Sequence, residues 1–229
     1  MRSRLLNIFD LLLHAFGSRH WWPGDSPLEI AVGAILTQNT AWKNVEKAIT
    51  NMKDTGMLDV QKLRASDPVG LARIIRPAGF YRVKAARLKA FVDFLGREYG
   101  GRVENMKDTP TAALRGQLLG IHGIGPETAD SILLYALDRP VFVVDAYTVR
   151  FLRNHGIYEG TATYEDAQSL FMRYLPLDTY LFNEFHALIV YLCQKFCKKT
   201  PVCAPCPLDG DRESGQQRGR NDETDADVA

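Results

Sequence analysis

The chain predicts an all-α fold, and three observations carry that reading. Apolar residues recur at helical spacing along almost all of its 229 residues. Only one run, Val141-Phe142-Val143-Val144, has strand character, and a lone strand of that length has no sheet to join. It predicts a buried extended connector. The composition, 46% hydrophobic and 24% charged, is that of a globular protein with a sizeable core.

The elements follow in order. Residues 5–16 read as an amphipathic helix, because Asn7, Asp10 and His14 interrupt the apolar run at helical spacing. No small-residue cleavage site follows, so a secretory signal is not expected. Residues 26–36 open with Ser26-Pro27 and continue apolar. Residues 41–55 set Val45, Ala48, Ile49 and Met52 on one face. Residues 68–75 form a short helix, and 82–99 repeat Ala85, Leu88, Phe91, Val92 and Leu95. Helices over 111–119, 146–155, 164–174 and 179–196 complete the set, with one more opening at Pro126. Pro126 suits a first helical position, where a missing N–H costs nothing. No apolar stretch reaches the ~18 residues of a membrane span. A cytoplasmic, monomeric protein is the expectation.

Net charge is only +1, but it is unevenly spread. Residues 209–229 hold seven acids against three arginines, a net of −4, which leaves +5 for the rest. The body is modestly basic and suits phosphate contact. The tail from 208 on has almost no large apolar residues and is expected to be disordered.

The most informative segment runs Leu119-Gly120-Ile121-His122-Gly123-Ile124-Gly125-Pro126-Glu127-Thr128-Ala129-Asp130. It is a glycine-punctuated turn between two helices. Gly123 and Gly125 tolerate φ > 0 and place no side chain in front of the backbone. Bare N–H groups at a helix N-terminus attract a phosphate, and a backbone contact positions a nucleic acid without reading its sequence. Downstream, Asp145 follows four apolar residues and opens a helix, so it is an N-cap candidate. An aspartate there stays ionised, because the helix dipole and the capping bonds favour the anion.

Together these motifs resemble the helix-hairpin-helix (HhH-GPD) DNA glycosylases of base excision repair, the superfamily that includes endonuclease III. The resemblance spans about Trp21 to Pro207 and implies a two-lobed fold: a six-helix lobe over 24–135, a second lobe of 1–23 with 136–192, and a cysteine segment over 193–207. It makes double-stranded DNA with a damaged base the expected partner and Asp145 the catalytic residue. It implies backbone DNA contact by Ile121, Gly123, Gly125 and Thr128. Gln38 matches a glutamine that fills the gap left by a flipped base, and Phe80 matches an apolar wedge on the opposing strand.

Bifunctional members carry a lysine two places after the last hairpin glycine, where this chain has Glu127. A carboxylate cannot form an imine, so a monofunctional enzyme without AP-lyase activity is expected. His20-Trp21-Trp22-Pro23 resembles the base-pocket segment of the 3-methyladenine DNA glycosylase III branch, with Trp42 at a further aromatic position. Trp21, Trp22, Pro23 and Trp42 are thus the expected pocket, suited to a cationic N-alkylated purine. Endonuclease III-like excision of oxidised pyrimidines and a non-catalytic DNA-binding module are the alternatives.

All four cysteines, Cys193, Cys197, Cys203 and Cys206, cluster late with spacing C-x3-C-x5-C-x2-C. Such a cluster reads as metal ligands before disulfides. Many relatives hold a [4Fe–4S] cluster with spacing C-x6-C-x2-C-x5-C. Here the last three cysteines track the first three ligands, Arg212 stands at the fourth, and Cys193 lies upstream. A [4Fe–4S] cluster, zinc and no metal all stay open.

Overall fold

A computed structural model describes residues 1–158, 160 and 162–211. The protein is helical, with no strand among the described residues. The helices are α1 (Arg2–Phe16), α2 (Pro27–Leu36), α3 (Trp42–Asp54), α4 (Val60–Ala65), α5 (Pro68–Ile74), α6 (Tyr81–Glu98), α7 (Thr111–Leu119), α8 (Pro126–Ser131), α9 (Ala146–Asn154), α10 (Tyr164–Tyr174) and α11 (Thr179–Lys195). Short 3-10 turns cover Arg76–Ala78 and Val103–Asp108. Among the described residues no helix is long and apolar enough to cross a membrane.

Two compact units result: Trp22–Pro140, and Met1–Trp21 with Val141–Ala229. In the first, α2 is the central rod. The Ser26 hydroxyl caps it by accepting from Glu29 N at 3.2 Å, Pro27 fills its first turn, and 31–36 are buried on every side. An all-round apolar helix belongs at the middle of a core. Helices α3, α6 and α8 pack on it, α6 through the buried stripe Leu88, Phe91, Val92 and Leu95. After α8 the helix widens into a π turn, Ile132–Ala136, whose residues are all buried.

In the second unit the central rod is α11, packed by α1 and α9. Residues 141–144 are the buried extended connector the sequence suggests. Phe142 anchors it, stacking on Phe171 at 3.9 Å and meeting Phe182 edge-on at 5.5 Å. Burying one such ring contributes ~1.5–3 kcal/mol.

The acidic tail needs one correction. Leu208 is 1% exposed, and Asp211 forms a two-oxygen ion pair with Arg4 while also bonding His155 Nδ1. Residues 208–211 therefore belong to the folded body, held by an apolar anchor and an ion pair. The remainder of the expected tail, with Arg212, lies outside the described residues.

Candidate active site

The hairpin is built by α7, α8 and the turn between them. Ile121 and Ile124 are buried beneath it, and Ile124 N donates to Ile121 O at 3.0 Å. Across it, the Arg115 guanidinium grips the fully buried Asp130 carboxylate through both oxygens, at 2.7 and 3.0 Å. Fork-on-carboxylate geometry fixes both distance and orientation, so α7 and α8 are clamped. Gly123 sits at φ +82°, and a Cβ there would lie 2.4 Å from Arg87 Cγ. Only glycine fits. Among the described residues, the N–H groups of Gly123 and Gly125 make no backbone hydrogen bond. The side chains of Ile121 and Thr128 are buried, so backbone is what these residues can offer a phosphate.

Gln38 is fastened to this turn. Its Nε2 donates to Gly123 O at 3.1 Å and Thr128 Oγ1 at 2.9 Å, and its Oε1 accepts from Arg87. Phe80 is 69% exposed and takes the left-handed region, φ 44°. A bulky residue in that region carries backbone strain of ~1–3 kcal/mol. Behind both stands Lys84, 1% exposed, whose ammonium donates to Leu36 O at 2.8 Å and Ala78 O at 2.7 Å. One charge thus ties the end of α2, which leads into Gln38, to the 3-10 turn that leads into Phe80. Burial, with some repulsion from Arg87, pushes its pKa down to about 8.

The pocket aromatics are partly assembled. Trp22 meets Trp42 edge-on at 4.8 Å and lies tilted over Tyr135 at 5.0 Å. Gly33 permits this, since a Cβ there would stand 3.2 Å from Trp22 Nε1. Pro23 and Trp42 line one open pocket. Trp21 ends the other unit.

Asp145 caps α9. Its Oδ1 accepts from Thr148 N at 2.8 Å and Thr148 Oγ1 at 3.0 Å, while Oδ2 lies 3.6 Å from His186 Nε2 on α11. Burial alone would raise its pKa, but the bonds and charge from His186 and the capping bonds from Thr148 outweigh it and hold the carboxyl below the usual range. Two residues before His186, the buried Glu184 carboxylate accepts from Ser18 Oγ (2.9 Å), Arg19 N (2.6 Å) and His20 N (2.8 Å). It anchors the segment that leads into the tryptophans. Glu127 is exposed in the first turn of α8.

Cys193 and Cys197 sit one turn apart at the end of α11. Cys193 beside it, then Asn154 Nδ2 at 3.2 Å, draw the Cys197 thiol down to about 6, while donation to Cys197 and burial push Cys193 up. Cys197, Cys203 and Cys206 line a common apolar pocket with Phe196, Val202 and Leu208. Among the described residues, however, no three His, Cys, Asp or Glu side chains form a single-ion cage. Four thiolates at this end of the second unit are the donor set that zinc or an iron–sulfur cluster takes.

Sequence reasoning missed Lys84, Arg87, Tyr135, Glu184 and His186. One signal was present: Lys84 occupies the same helical face as Leu88, Phe91 and Leu95, so a cation falls in a core register.

Comparison with known proteins places this geometry. The HhH-GPD superfamily of base excision DNA repair proteins matches over residues 32–177. A putative DNA repair glycosylase of Methanocaldococcus jannaschii is 48% identical over 205 residues, covering 89% of this chain and 93% of the relative. Endonuclease III of Thermotoga maritima is 27% identical, covering 86% and 87%. Among solved structures, H. pylori 3-methyladenine DNA glycosylase bound to 1,N6-ethenoadenine superposes with a TM-score of 0.74 at 30% identity, covering 88% of this chain and 99% of that one. An endonuclease III trapped in a covalent DNA intermediate shares the fold, with a TM-score of 0.80 at 22% identity over 96% and 99%. The chain therefore belongs to the HhH-GPD superfamily of base excision DNA repair proteins, as a DNA glycosylase.

Proposed function

We propose that this glycosylase is monofunctional and hydrolyses the N-glycosidic bond of N-alkylated purines in duplex DNA. The observation that carries the reading is the doubly held Asp145 carboxylate, combined with Glu127 where a nucleophilic amine would stand. As the C1′–N bond breaks, its electron pair leaves with the base and positive charge builds on the sugar. Asp145, kept anionic by His186 and Thr148, stabilises that charge and orients the water whose oxygen then bonds C1′. The released proton passes to Asp145 or to solvent. An N-alkylated purine already carries the positive charge that its departure neutralises, so no general acid is needed.

The faces of Trp22 and Trp42, with Trp21 and Pro23, receive the cationic base. The similar H. pylori 3-methyladenine DNA glycosylase, bound to the adenine adduct 1,N6-ethenoadenine, supports a modified purine as substrate. The hairpin backbone holds the phosphates, Gln38 fills the vacated stack and Phe80 wedges the opposite strand. The protein acts as a monomer. Its four cysteines would hold a [4Fe–4S] cluster in the cavity shared by Cys197, Cys203 and Cys206, with Cys193 as the fourth ligand. That group supplies structure and electrostatics rather than a reaction step. Iron and sulfide at four each per chain would support it; purified protein without either would reject it.

Duplexes carrying 3-methyladenine, hypoxanthine, uracil or thymine glycol, assayed with and without hot alkali, test the main reading. It expects release of the alkylated purine with strand breaks only after alkali. Preferential attack on thymine glycol would favour the endonuclease III-like alternative, to which the Thermotoga relative lends weight. Asp145→Asn should abolish release while leaving duplex binding intact. Glu127→Lys should introduce borohydride-trappable capture.

A further inference from the structure

Residues 68–92 contain Arg73, Arg76, Arg82, Lys84, Arg87 and Lys89 and no acid at all. Three of these cations serve the interior. Lys84 holds Leu36 O and Ala78 O, Arg87 holds Gln38, and Lys89 Nζ donates to the carbonyls of Leu63, Arg64 and Ser66. The other three have no such employment. Arg73, Arg76 and Arg82 are exposed, and their side chains make no ion pair or hydrogen bond among the described residues. They line one open pocket, together with Tyr81 and Val69.

Three guanidinium groups around one hollow repel each other, and no carboxylate among the described residues pairs with them. An anion would. Exposed apolar side chains accompany the arginines: Val69, 59% exposed, lines the pocket, and Phe80 (69%) and Val83 (49%) flank Tyr81 and Arg82 in sequence. Unpartnered arginines interleaved with exposed aromatic and aliphatic surface match a nucleic-acid backbone better than an acidic protein, because the aromatic gives a base a face to stack on.

The helix register then separates the two strands. Arg82 and Arg87 are five residues apart, about 140° around α6. Arg87 faces Gln38 and the Gly123 turn, so the arginine pocket opens on another side of the same helix, with Phe80 at the helix start. We propose that Arg73, Arg76 and Arg82 form a second phosphate site, which grips the backbone of the strand opposite the damaged base. This rests on the reading above, in which Phe80 wedges the strand opposite the damaged base.

The test measures binding rather than excision, so it is independent of which lesion is removed. Fluorescence anisotropy with a duplex carrying a tetrahydrofuran abasic analogue is run across a salt series. The triple variant Arg73→Gln, Arg76→Gln, Arg82→Gln should lose about 1 unit of salt slope per arginine, ~3 in all, with binding weakened roughly tenfold or more at low salt. Neutral methylphosphonates in the complementary strand opposite the lesion should weaken the wild type and leave the variant indifferent. The same replacements in the damaged strand should weaken both alike. Circular dichroism and the melting temperature confirm the variant's fold, and all three residues are exposed. An unchanged salt slope in a folded variant would overturn the proposal. So would loss of sensitivity confined to the damaged strand.

Discussion

Replacing Lys84 by methionine removes one charge and almost no volume, so it isolates what the ammonium does. The ammonium is buried and satisfies two carbonyls, Leu36 O and Ala78 O. Orphaning each costs ~1–3 kcal/mol, ~2–6 in total. Relief of the ammonium's own desolvation offsets part of this, and a net loss of about 3 kcal/mol is expected. For a chain of this size that is a fall in melting temperature of roughly 6–12 °C. The pH dependence adds a second signature. Burial holds the folded pKa near 8 against an ordinary 10.5. Between those values the unfolded chain binds more protons, so this lysine makes wild-type stability rise with pH across the window, by up to about 3 kcal/mol. The methionine variant lacks that rise, and the gap between the two proteins should widen from pH 8 to 10.5. Calorimetry at several pH values measures both effects. A shift under about 2 °C at neutral pH, or a gap that narrows on the alkaline side, would refute the reasoning.

Three further outcomes follow from the same structure. Gly123→Ala forces a Cβ into Arg87 at a φ of +82°, so it should destabilise the protein by ~1–2 kcal/mol and weaken duplex affinity, measured by melting and anisotropy. Glu184→Gln turns an amide toward donors that now meet a carboxylate; a loss of ~2 kcal/mol and a KM for lesion DNA that rises more than kcat falls are expected in steady-state kinetics. The partnership with His155 and Arg4 holds Asp211 at about 2, below its ordinary 3.8, despite burial that would raise it. Its contribution is therefore complete above pH 3.8 and lost as pH falls toward 2, ~2 kcal/mol in acid titrations, and Asp211→Asn should remove it.

The long amphipathic helices were legible in the sequence because periodicity survives over three turns or more. α3, with Val45, Ala48, Ile49 and Met52 buried, is the clearest case. α4, only six residues long, was not legible: two buried side chains, Val60 and Leu63, make no recognisable period. The two 3-10 turns repeat every ~3.0 residues rather than the ~3.6 of the pattern sought, and are short. At the site, residues tied to a local motif could be read, such as the Gly123 turn and the Asp145 cap. Glu184 and His186 could not, since their partners lie more than forty residues away in sequence and nothing local distinguishes them from surface polar groups on an apolar helix. The expectation of a tail from 208 failed for a similar reason: a lone leucine and one aspartate carry no signal until Arg4 and His155 meet them.

The π turn at Ile132–Ala136 decouples residue count from direction. One extra residue is absorbed without lengthening the helix, and the following side chains rotate relative to the hairpin end. Tyr135, which lies within that turn, packs against Trp22. A single deletion within 132–136 would restore the ordinary winding and swing the tyrosine off its neighbour, with both flanking segments still folded. The surroundings of Trp22 are therefore open to change through length here, with no exchange of any aromatic side chain.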